Sequence, residues 1–155
     1  LKDGIYRVGP DRMDKVYMPE AGWGVVGLRV DAARSDLIAC LSDEAGGKGR
    51  LVRLALATGA ERSQIDLPAA GAFCNDSTVL PDGRVAFTDS TGGRLWIADR
   101  SGARQVPTDR PLTYPNGIAF LNGRLFVAHA DGVRIVDPES GRSRDIVAKD
   151  TALVG

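Results

Sequence analysis

Asn75-Asp76-Ser77-Thr78-Val79-Leu80-Pro81-Asp82-Gly83-Arg84-Val85-Ala86-Phe87 reads as an amide side chain, an apolar-rich run, a tight Gly turn and a second apolar run. Pro115-Asn116-Gly117-Ile118-Ala119-Phe120-Leu121-Asn122-Gly123-Arg124-Leu125-Phe126-Val127 repeats that order about forty residues later. This spacing is roughly the length of one four-stranded propeller blade. The second turn is one residue shorter, which trims the hairpin tip and leaves Asn116 in place. A repeat that sets an amide at the same point of successive blades predicts Asn75 and Asn116 converging on a central axis. Two inward carboxamides form the beginning of an oxygen-rich site for a hard metal ion.

Working outward, each such hairpin is followed by a second one. Its first strand opens at Gly4-Ile5-Tyr6-Arg7-Val8, Arg50-Leu51-Val52-Arg53-Leu54, Arg94-Leu95-Trp96-Ile97-Ala98 and Gly132-Val133-Arg134-Ile135-Val136. Polar turns follow, then outer strands such as Lys15-Val16-Tyr17-Met18, Ser63-Gln64-Ile65-Asp66-Leu67 and Arg144-Asp145-Ile146-Val147. Apolar and polar residues alternate, the period-two signature of half-exposed strands. The divergent copy is Gly27-Leu28-Arg29-Val30-Asp31 with Asp36-Leu37-Ile38-Ala39-Cys40. The span from Val30 to Leu41 also fits an amphipathic helix. Its place in the repeat favours strand–turn–strand.

The expected fold is therefore all-β, a propeller of four-stranded blades amounting to about three and a half units. A half blade over residues 1–22 precedes blades over 23–68, 69–111 and 112–150. A propeller usually closes a ring of about four to eight blades. Three and a half leave open sheet faces and unpaired edges. The chain is expected to be a piece of a longer propeller, completed by the parent's remaining blades. Less favoured is a self-assembling half in which a second copy closes the ring.

Composition is that of a globular domain. The 155 residues are 43% hydrophobic and 26% charged, with 20 basic and 20 acidic side chains. No basic stripe points to nucleic acid as a partner. No apolar run approaches the ~20 residues that span a membrane. The start, Leu1-Lys2-Asp3-Gly4, has no signal-peptide pattern. The expected partner is a small-molecule substrate, and the compartment stays open. Cys40 and Cys74 with a single histidine do not make a zinc set. The preferred reading is two buried small apolar side chains. The alternative is a disulfide, which implies an oxidising compartment.

At these motifs the sequence resembles the gluconolactonase/regucalcin-like (senescence-marker-protein-type) family of six-bladed propeller hydrolases, which includes calcium-dependent lactonases. The resemblance rests on Asn75-Asp76 before Pro81-Asp82-Gly83, on Pro115-Asn116-Gly117, and on the strand endings Thr88-Asp89-Ser90 and Val127-Ala128-His129. It implies a calcium ion at one end of the channel, held by Glu, Asn, Asn and Asp from four blades. Asn75 and Asn116 match the two Asn positions. The matching Glu and Asp fall before Leu1 and beyond Gly155. The resemblance thus implies a hydrolase of a lactone or similar small ester, with half of its metal site here. The alternative is a non-catalytic propeller segment of the NHL type acting as a binding scaffold.

Blander readings compete at each position. Asn-Gly at 116–117 is also a common turn dipeptide. Asn75-Asp76-Ser77 matches a glycosylation sequon, a chance match for a channel-lining residue. Asp76 is read equally as an orienting group behind the metal and as a strand cap. His129 aligns with Asp89, and its catalytic use is the less favoured reading. Val26 aligns with the two Asn and offers no ligand. Trp23 and Trp96 read as packing aromatics. Gly46-Gly47-Lys48-Gly49-Arg50 lacks phosphate-loop spacing and reads as a hairpin loop.

Overall fold

The computed structural model describes residues 4–146. Among these, fourteen strands and no helix occur, so no helix is long and apolar enough to cross a membrane. The expected outer strand through Val147 and the expected blade end at residue 150 extend beyond the described residues.

A two-stranded sheet, β1 (Ile5–Val8) and β2 (Met13–Tyr17), comes first. Three four-stranded antiparallel meanders follow. The first comprises β3 (Trp23–Asp31), β4 (Asp36–Asp43), β5 (Gly49–Ala55) and β6 (Glu61–Asp66). The second comprises β7 (Cys74–Val79), β8 (Val85–Asp89), β9 (Arg94–Asp99) and β10 (Gly102–Val106). The third comprises β11 (Ile118–Leu121), β12 (Arg124–His129), β13 (Gly132–Val136) and β14 (Ser143–Asp145). The helical alternative at Val30–Leu41 is excluded, because a turn separates β3 from β4 there.

Alternation along each strand sends apolar side chains to both faces of a blade, and each face packs on a neighbour. Ile5 meets Ala39, Leu41, Val52 and Leu54 between the first two sheets. Ile38, Leu51, Val85, Phe87 and Trp96 fill the next interface. Leu95, Ile97, Leu125, Val127 and Val136 fill the last. Trp23 packs on the first cluster with the Arg50 guanidinium stacked 4.2 Å from its ring centroid. Leu28 and Val30 of β3 stay 45% and 52% exposed.

Cys40 and Cys74 form a disulfide, with Cα atoms 5.1 Å apart. This corrects the preference for two separate buried thiols. Both residues are fully buried within the interface between the second and third sheets. The repeat stacks β4 of one blade against β7 of the next, which brings the two sulfurs together.

The innermost strands, β3, β7 and β11, lie side by side. Gly27 of β3 faces the backbone of Asn75, and a Cβ there would overlap the Asn75 carbonyl oxygen. Only glycine lets the two inner strands approach this closely. Gly27→Ala is expected to cost about 1–3 kcal/mol, as overpacking against rigid backbone does. Urea unfolding measures it, and an unchanged midpoint refutes it.

Candidate functional site at one end of the inner strands

Asn75 sits where the β7–β8 register breaks, between Cys74 and Ser77. The matching break in β3 falls between Val25 and Gly27, at Val26. A bulge re-aims side chains away from the regular alternation. The repeat therefore supplies a bulge at the start of successive inner strands, and in the second blade of the pair it carries the amide. Asn116 precedes β11, where its N–H donates to the Ala128 carbonyl at 2.8 Å.

The end of β8 ties these two positions together. Asn75 Nδ2 donates to Ser90 Oγ at 2.9 Å, and Ser90 Oγ donates to the Pro115 carbonyl at 2.5 Å. Thr88 Oγ1 donates to the Asn116 carbonyl at 2.6 Å and accepts from the Asp76 N–H at 3.2 Å. Both Asn residues thus lie at the same end of adjacent inner strands, fixed by the hydroxyls of Thr88 and Ser90. Asp89 between them is fully buried and ion-pairs with Arg94 at 2.8 Å. Its Oδ1 accepts from Phe73 N–H at 2.9 Å, which pins the entry to β7.

The carboxamide oxygens remain available. Asn75 spends its Nδ2 on Ser90, which leaves Oδ1 without a donor among the described residues. The exposed Asn116 side chain makes no hydrogen bond among them. Neutral amide oxygens are of the type that calcium accepts, so the chemistry of the two side chains is compatible with such an ion. Among the described residues, no three His, Cys, Asp or Glu side chains converge as a metal group.

Asp76 is engaged differently. Its Oδ1 accepts from Ser77 N–H at 2.8 Å and its Oδ2 from Ile118 N–H at 3.1 Å. Arg29 takes the complementary groups of the same two residues. Its Nε donates to the Ser77 carbonyl at 3.0 Å and its Nη2 approaches the Ile118 carbonyl at 3.5 Å. An inner strand has no further strand to pair with, so its inward N–H and C=O groups need other partners. A carboxylate, which only accepts, meets the N–H groups. A guanidinium, which only donates, meets the carbonyls.

His129 ends β12 and is buried. Its Nδ1 accepts from the Asp131 N–H at 3.3 Å, and its Nε2 lies 3.8 Å from Asp145 Oδ1. Burial pushes its pKa below the ordinary imidazole value, with the Arg134 charge acting in the same direction. These partners belong to its own blade. None is Asn75 or Asn116.

Arg29, Thr88 and Ser90 were not singled out by the sequence reading. The two hydroxyls had a signal, since they flank Asp89 in a strand ending already set apart. Arg29 had none, because its partners lie 48 and 89 residues away. A cavity of about 310 Å³ lies at the other end of the inner strands, bordered by Val30, Arg34, Leu80 and Phe120.

No family model and no curated protein matches this sequence. Solved structures do match in fold. One is a nidogen/laminin complex, at TM-score 0.68 and 13% identity over 87% of this chain and 51% of that one. Another is a catalytically inactive virginiamycin B lyase from Staphylococcus aureus with quinupristin, at TM-score 0.66 and 18% identity over 82% and 42%. A third is Myxococcus xanthus glutaminyl cyclase, at TM-score 0.54 and 18% identity over 86% and 55%. The chain spans about half the length of these structures. The similarity establishes a β-propeller fold. Its members include both enzymes and a binding propeller, so fold alone leaves activity open.

Proposed function

We propose that this chain is part of a metal-dependent hydrolase acting on a lactone or similar small ester, akin to the gluconolactonase/regucalcin-like propellers. Asn75 and Asn116 hold a divalent cation, calcium by the chemistry of their oxygens. The observation that carries the reading is the pair of carboxamides at one end of adjacent inner strands, with oxygens unspent inside the protein. When bound, calcium supplies Lewis-acid polarisation of a carbonyl or a lowered pKa for bound water.

The chain's own residues prepare that position. Ser90 holds the Asn75 amide by its nitrogen, which leaves the oxygen free to bind a cation. Thr88 fixes the Asn116 backbone, and Asp76 joins the two strands behind the amides. His129 is placed within its blade, so the reading gives it no catalytic part.

Two neutral amides lack an anionic ligand to offset the cation's desolvation. Residues 1–155 alone are therefore expected to bind calcium weakly and to hydrolyse nothing. Calorimetry giving micromolar affinity for these residues alone refutes this. In the complete polypeptide, Asn75→Ala or Asn116→Ala is expected to weaken calcium binding by at least about tenfold and to lower lactone hydrolysis with it. Calcium titration followed by an assay on γ-butyrolactone reads both. Unchanged affinity in both variants removes the metal assignment.

The second reading is a binding scaffold of the NHL type. The presence of a nidogen/laminin complex among the similar structures is compatible with it. A complete polypeptide with no calcium dependence, yet with a protein ligand at this end of the inner strands, selects it.

A further inference from the structure

We infer that Arg29 is an anion-recognition residue of the channel, and that the ligand of this site carries a carboxylate. The inference deepens the hydrolase reading and rests on it for the substrate class: an acidic lactone or ester rather than a neutral one.

Arg29 lies on β3, and its partners lie on β7 and β11. The guanidinium thus reaches from one inner strand past the next to a third. Cross-strand pairing sets its height. Arg29 follows Gly27, which abuts Asn75, by two residues, and Ile118 follows Asn116 by two. Two residues of strand cover about 6.6 Å. The carbonyls that the guanidinium holds, those of Ser77 and Ile118, belong to residues about that far along the inner strands from Asn75 and Asn116.

Its charge is unpaired by contact. No carboxylate of the described residues lies within ion-pair distance of Arg29, whereas Arg12, Arg34, Arg53 and Arg134 each have one. Asp76 comes nearest in the bonding network, yet both of its oxygens are taken by backbone N–H groups. Arg29 itself uses Nε on one carbonyl and Nη2 weakly on another. The Nη1 hydrogens and the second Nη2 hydrogen have no acceptor among the described residues. A half-buried guanidinium with an unused edge presents the planar fork that carboxylates fill with two parallel bonds. A methionine or lysine would serve neither the backbone carbonyls nor that fork equally well. A ligand with its carbonyl at the amides and its carboxylate at Arg29 needs a reach of about one small sugar acid.

The test compares D-glucuronate with D-glucuronamide, its uncharged isostere, binding to the protein by calorimetry, with the arginine Nε–H resonances followed by NMR. Glucuronate is expected to bind at least about tenfold tighter and to shift the Arg29 resonance. Arg29→Met is expected to abolish the preference and Arg29→Lys to retain part of it, with thermal melts confirming folded protein. Equal binding of acid and amide by the unmodified protein overturns the inference, whether or not either variant folds. So does a preference that survives in folded Arg29→Met. The calcium titrations of Asn75→Ala and Asn116→Ala report on the hydrolase reading separately. A carboxylate preference without calcium binding sinks that reading and leaves Arg29 as an anion site.

Discussion

Reducing the Cys40–Cys74 disulfide is expected to lower the unfolding free energy by about 3.8 kcal/mol, the entropy released when a loop of this size is opened in the unfolded chain. The cysteines are 34 residues apart and fully buried, so the native packing around them changes little on reduction. In a repeat array each unit contacts only its neighbours, and stability is close to a sum of units and interfaces. This bond couples two adjacent units covalently, on top of the apolar contacts of Ile38, Leu51, Phe87 and Trp96. The urea midpoint falls on reduction, and the slope steepens because the unlinked unfolded chain exposes more surface. Cys40→Ala with Cys74→Ala falls further, since it adds a small cavity. Reduced and oxidised protein unfolding within about 1 kcal/mol of each other contradicts the account. The consequence extends to the site, because Cys74 immediately precedes Asn75. A bond of this kind persists chiefly in oxidising compartments, the setting in which the proposed site is best held.

Removing the Asp76 carboxylate is expected to cost about 3 kcal/mol, through two charge-assisted hydrogen bonds to backbone N–H groups. Ser77 N–H and Ile118 N–H belong to inner strands of different blades, so the loss loosens the seam between them. Asp76→Ala leaves both donors unsatisfied. Asp76→Asn keeps the shape but turns an amide N–H₂ toward one of them, so it recovers only about half of the loss. The order wild type, Asn, Ala in chemical denaturation is the signature of this cap. Both variants falling within about 0.5 kcal/mol of wild type refutes it. Amide exchange at Ile118 offers a local reading, with faster exchange expected in Asp76→Ala.

The meanders were legible residue by residue. Alternation in Arg50–Leu54 and Arg94–Ala98, glycine turns at Gly83 and Gly123, and the forty-residue recurrence all act over short stretches of chain. Each is visible without knowing what lies opposite. The two Asn positions were legible for the same reason, since they recur in phase with the strands. The disulfide was less so. Cys40 and Cys74 lie on strands of different parity in neighbouring blades, and their meeting depends on how one blade stacks on the next.

Hydrophobic period and turn chemistry are local properties, and they were enough to specify strands, blades and the approximate places of Asn75 and Asn116. The packing of three inner strands around one axis is not local. It gave Gly27 its contact with Asn75, divided the free backbone groups of Ser77 and Ile118 between Asp76 and Arg29, and spent the Asn75 nitrogen on Ser90. A side chain's partner across a curved stack of sheets depends on blade rotation and strand bulges, which no one-dimensional pattern encodes.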